Sequence, residues 1–122
     1  MTAPLIVTVG VLFFGMGFAA LATPAIVPKQ FGMTFEGGGD NGRAEIRAVY
    51  GGFGLAMAAV LAYALTNDAV RDGIVLTVGA ALAGMAGGRV ISAILGDRTR
   101  FYPNWFYFTI EAIGAAALLL AS

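Results

Sequence analysis

The chain has 122 residues, with 7 basic and 7 acidic side chains, no formal net charge, 59% hydrophobic residues and only 11% charged ones. That composition supplies too little polar surface for a soluble domain of this length, and a balanced charge argues against nucleic-acid binding through a basic face. The absence of Cys and His removes disulfides, thiolate metal sites, His-ligated haem and most zinc sites, and leaves any nucleophile without an imidazole base.

The chain therefore reads as one domain whose natural solvent is a lipid bilayer, with no cofactor, no metal and no catalytic residues. Hydrophobic runs of crossing length fall at about residues 5–27, 44–66, 70–95 and 103–121, each near the roughly 20 residues that a membrane helix needs. In the first run, Ala20, Leu21 and Ala22 look like a cleavage site. Residues 1–4 hold no Lys or Arg, however, and the apolar stretch continues to Val27, which predicts a membrane helix rather than a leader.

Punctuation separates the runs. Pro24 and Pro28 end the first helix, and Gly37 to Gly42 form a loop in which Asp40 or Asn41 can cap the second. Phe31, Met33 and Phe35 alternate with polar residues ahead of that loop and dip into the headgroup region or cover one mouth of the bundle. Thr66, Asn67 and Asp68 make a tight turn with Asp68 as N-cap, and Pro103 suits the first position of the last helix. Short connections predict an all-α, antiparallel four-helix membrane bundle. The connections at 28–43 and 96–102 carry Lys29, Arg43, Arg98 and Arg100, whereas the opposite side carries only Arg71 between Asp68 and Asp72. The positive-inside rule then places those two connections in the cytoplasm and both termini in the periplasm of a bacterial inner membrane.

Small residues recur at fourth-residue spacing: Ala44, Ala48, Gly52 and Ala56; Gly84, Gly88, Ser92 and Gly96; and Gly15, Ala19 and Thr23. Such stripes predict close helix packing, within the chain or with a second copy. Phe101, Tyr102, Trp105, Phe106, Tyr107 and Phe108 form an aromatic belt where the last helix enters the bilayer.

Glu45, Arg47, Arg89 and Glu111 stand inside or at the edge of these apolar runs. A lone charge at mid-membrane costs roughly 2.5 to 3.5 kcal/mol on insertion scales, so two of each sign point to pairing. Arg89 lies about six residues from the cytoplasmic end of its helix and Glu111 about eight, on the order of 9 and 12 Å deep. With Arg47 they fall in one layer, with Tyr50 on the same side and Glu45 nearer the interface. The layer is either a clamp that sets helix register or a net positive pocket for an anionic ligand.

The string from Asn41 to Gly52, with Ala44-Glu45-Ile46-Arg47-Ala48-Val49-Tyr50-Gly51-Gly52 at its centre, resembles the signature of a bacterial family of small four-helix integral membrane proteins of unknown function. In that family an acidic-x-Arg-x-x-Tyr-Gly-Gly pattern opens the second helix. The resemblance implies the fold and no activity. The leading functional expectation is a non-catalytic accessory or assembly subunit of a larger membrane complex. The alternative is a small transporter or lipid-binding protein that uses the Arg/Glu layer.

Overall fold

The computed structural model describes residues 2–35 and 39–122, and these are helical with no strand among them. The elements are α1 (Thr2–Ala22), α2 (Ile26–Gln30), α3 (Asp40–Thr66), α4 (Asp68–Ile94) and α5 (Phe101–Ala121). All but the short α2 are long and apolar enough to cross a membrane. Part of the expected glycine loop, Gly37 and Gly38, lies outside the described residues. Contacts group the chain into two compact units, residues 7–63 and residues 1–6 with 64–122.

In the 7–63 unit, α1 and α3 form an antiparallel hairpin. Gly10 faces Leu61, Phe13 and Met16 face Gly54, and Leu21 faces Gly51, so partners on α3 fall back as α1 runs forward. The crossing is closest at Gly17, where an added Cβ would stand 2.8 Å from both Gly51 O and Leu55 N. These are backbone atoms, which cannot rotate aside. At the same level α3 widens into a π-helical stretch, Arg47–Gly52, a local insertion that such helices carry as an extra residue in one turn. Val9, Phe13, Ala20 and Leu61 are buried.

The second unit is built on the antiparallel pair α4 and α5. Gly79 packs under Leu118 and Leu119, and Gly114 under Leu82, with added Cβ atoms at 3.0 to 3.2 Å. Val75, Val78, Leu82, Ala86, Ala115 and Leu118 are buried. Gly96, at φ +115°, closes α4 in a backbone region that L side chains rarely adopt. The first turn of α5, Phe101–Trp105, is also wide, with Tyr102 extended and a cis peptide bond to Pro103.

The helix ends differ from expectation. Asp40 and Asn41 do not cap α3: Gly39 holds the N-cap position at φ +79°, and Asp40 instead accepts from Arg43 Nη2 at 2.5 Å. The N-cap of α4 is Asn67, whose Oδ1 accepts from Ala69 N at 3.1 Å, not Asp68. Asp68 pairs with Arg71 at 2.7 Å. Arg71 also donates to Ala64 O (Nε, 2.8 Å) and Leu65 O (Nη2, 3.0 Å), taking up carbonyls that the end of α3 leaves open. Phe35 lies over Gly39 and Gly42, with the Arg43 guanidinium 5.8 Å from its ring centroid.

The fourth-residue stripes are not where backbones approach most closely. A Cβ built on Gly15, Gly84 or Gly88 meets nothing within 4 Å. Spacing marks a helix face, and it leaves open whether that face meets a neighbour. Gly17→Ala is therefore expected to destabilise the protein by about 1–3 kcal/mol through overpacking, while Gly84→Ala is expected to be neutral or mildly stabilising. Thermal unfolding in detergent, followed by circular dichroism, separates the two; equal midpoints would contradict the close crossing.

Candidate functional site

The polar centre of the α4–α5 hairpin follows from its antiparallel register, which brings the C-terminal third of α4 level with the start of α5. Arg89 Nε donates to Glu111 Oε1 at 2.7 Å and Arg89 Nη2 to Glu111 Oε2 at 2.9 Å. This is the bidentate fork that guanidinium and carboxylate planes favour. Arg89 Nη1 donates to Asn104 Oδ1 at 3.0 Å, and the guanidinium carbon lies 5.7 Å from the centroid of the Tyr107 ring. Asn104 Nδ2 donates in turn to Thr99 Oγ1 at 3.4 Å. Glu111 is buried, at 5% exposure, whereas the Arg89 side chain keeps 21%.

Asn104, Tyr107 and Glu111 stand three and four residues apart, the spacing that stacks side chains on one helix face. Arg89 Nε, Nη1 and Nη2 thus each donate to a side chain on α5. Chemically the arrangement is a closed pair: the carboxylate neutralises the guanidinium, and Asn104 and Tyr107 complete its surroundings. Among the described residues no group of three or more His, Cys, Asp or Glu comes together as a metal ion would require.

The other residues singled out in the sequence belong to the 7–63 unit. Arg47 is exposed, and its Nε donates to Leu21 O at 3.0 Å, one residue before the end of α1. Tyr50 is half-buried within the π-helical stretch and Glu45 is exposed. Arg47 therefore acts as Arg71 does, placing a cation on a carbonyl at the negative end of the preceding helix.

Asn104 and the role of Tyr107 escape a reading by charge alone. Tyr107 looks like one more belt aromatic, and Asn104 looks like loop. The 104, 107, 111 spacing was the available signal.

Residues 2–122 match the family described as Domain of unknown function (DUF4345), and the chain belongs to that family. Comparisons with curated proteins and with solved structures give no match.

Removing one partner of a buried pair strands the other, at about 3–5 kcal/mol. Glu111→Ala is expected to lower stability by an amount near that range. The double variant Arg89→Met, Glu111→Leu should recover most of the loss, because the stranded charge is then gone. Unfolding midpoints of Arg89→Met, Glu111→Leu and the double variant, read as a cycle, test this. Additive losses would mean that the two groups do not act as a pair.

Proposed function

We propose that the protein is a multi-pass protein of the bacterial inner membrane, with the connections at 28–43 and 96–102 in the cytoplasm and both termini in the periplasm. It serves there as a non-catalytic accessory or assembly subunit of a larger membrane complex.

The observation that carries the membrane reading is the outward face of the four long helices. Val11, Phe18, Ile113 and Leu120 are 63%, 61%, 64% and 87% exposed. In water, apolar surface so extensive would drive association, whereas in hydrocarbon it costs nothing. The accessory role is supported by what happens to the polar groups. Arg89 is closed on Glu111, Arg47 on Leu21 O and Arg71 on Asp68 and two carbonyls. Charges used in this way hold the scaffold. The alternative of an anion pocket at Arg47, Arg89 and Glu111 has less support, because Glu111 already occupies the fork that an anion would need.

After alkaline carbonate washing, the protein is expected to stay in the membrane pellet and to leave it only with detergent. Alkaline phosphatase fused after Ser122 should be active, and fused after Arg100 inactive. Extraction from native membranes in mild detergent should give a particle well above 12.5 kDa that contains other polypeptides. Recovery in the carbonate supernatant would exclude embedding. A monodisperse particle of this chain alone would exclude the accessory role.

A further inference from the structure

Four arginines of the described structure are committed to partners on the chain: Arg43 to Asp40, Arg47 to Leu21 O, Arg71 to Asp68 and two carbonyls, and Arg89 to Glu111 and Asn104. Arg98 and Arg100 differ. Both are exposed in the connection between α4 and α5, and among the described residues neither has a carboxylate or carbonyl partner.

The rest of that connection turns back on its own hairpin. The Asp97 carboxylate accepts from the Ser92 hydroxyl on α4, and Asp97 N donates to Ser92 O at 3.1 Å. Thr99 Oγ1 accepts from Asn104 on α5. The acidic group and the hydroxyl are thereby engaged, and the groups presented outward are the two guanidiniums. They stand between two exposed apolar pairs: Ile94 and Leu95 at the end of α4, 76% and 79% exposed, and Phe101 and Tyr102 at the start of α5, 63% and 53% exposed.

We propose that this connection binds the phosphate of an anionic phospholipid headgroup, with the acyl chains lying along the flanking apolar side chains. The proposal rests on the membrane reading above and names the lipid class that the α4–α5 end would select. A guanidinium meets phosphate oxygens with paired N–H donors, which suits Arg98 and Arg100 to a phosphodiester. A zwitterionic headgroup brings its own cation and gains less from two uncompensated charges, whereas an anionic surface attracts each basic residue beside it. The exposed Ile94, Leu95 and Phe101 distinguish a lipid from an acidic peptide, because a headgroup brings hydrocarbon to the same place.

The test uses the full-length protein reconstituted into vesicles of equal parts phosphatidylglycerol and phosphatidylcholine. Flotation comes first, then gentle detergent extraction and native mass spectrometry of the lipids retained. The protein is expected to retain phosphatidylglycerol at least about fivefold over phosphatidylcholine, the factor expected for one basic residue at an anionic surface. The preference should weaken in high salt, fall to parity in R98Q/R100Q, survive in R98K/R100K and survive in K29Q, where an exposed Lys of a different connection is removed. Excess inorganic phosphate should leave the retained lipid in place.

Several results would overturn the site. These are parity in the unaltered protein, an equal fall in K29Q, or displacement of lipid by free phosphate or by an acidic peptide. A protein that fails to float with vesicles overturns the membrane reading itself. One that floats without lipid preference overturns only this proposal. Far-ultraviolet circular dichroism of R98Q/R100Q, expected to match the parent, separates lost binding from lost folding.

Discussion

The structure depends on one constraint: a chain with so few polar groups, set among apolar side chains, must satisfy those groups with itself. Helices meet it for the backbone along their length, but their last turns leave carbonyls open. Arg71 closes the end of α3 and Arg47 reaches the end of α1. Each guanidinium also sits where the helix dipole is negative, so one side chain answers both needs. The Arg89–Glu111 fork applies the same rule between side chains. A buried ion pair adds little stability over apolar residues of similar size, yet leaving either partner alone is costly. Pairs of this kind can set helix register even where they add little stability.

The α1–α3 hairpin meets a second constraint at the same place. A methyl group on Gly17 would collide with the backbone of α3, and one on Gly51 with the side chain of Leu21 on α1. This contact coincides with the π-helical stretch Arg47–Gly52, and Arg47 at its start reaches the carbonyl of Leu21, whose side chain covers Gly51. The Arg-x-x-Tyr-Gly-Gly string thus has a local physical reading. Arg47 closes the end of α1, and Gly51 provides the room that α1 needs.

What could be read from the sequence follows from which forces are local. The four long helices were legible because an apolar run of sufficient length needs only its own hydrogen bonds. The charged layer left two readings open, a register clamp or an anion pocket; opposite charges at similar depth on antiparallel neighbours have reason to meet, and Arg89 and Glu111 do. Depth, however, gives position along an axis and not rotation about it. Arg47 could be placed at a level, but its bond to Leu21 O starts from the first residue of a π-helical widening, which no residue type announces. The caps were misassigned for a related reason. Asp40 and Asp68 each have an Arg three residues ahead, and both prefer that charge to a backbone N–H, leaving Gly39 and Asn67 at the cap positions. The small-residue stripes did not mark the closest crossings within the chain, which use Gly17, Gly51, Gly54, Gly79 and Gly114, joined by no regular four-residue spacing.

The committed and uncommitted charges of the second unit are linked. Arg89 holds Asn104, Asn104 holds Thr99, and Thr99 lies between Arg98 and Arg100. Tyr107, beneath the same guanidinium, packs on Tyr102 with ring centroids 6.2 Å apart, and Tyr102 packs on Phe106 at 5.5 Å. The buried pair therefore does more than join two helices. It is linked through Asn104 and Thr99 to the short connection in which Arg98 and Arg100 are exposed, between Ile94 and Leu95 on one side and Phe101 and Tyr102 on the other. Two hydrogen bonds in series thus run from the neutralised charge inside the hairpin to the connection that carries the exposed charges at its end, and a small protein needs no long loop to carry a basic pair there.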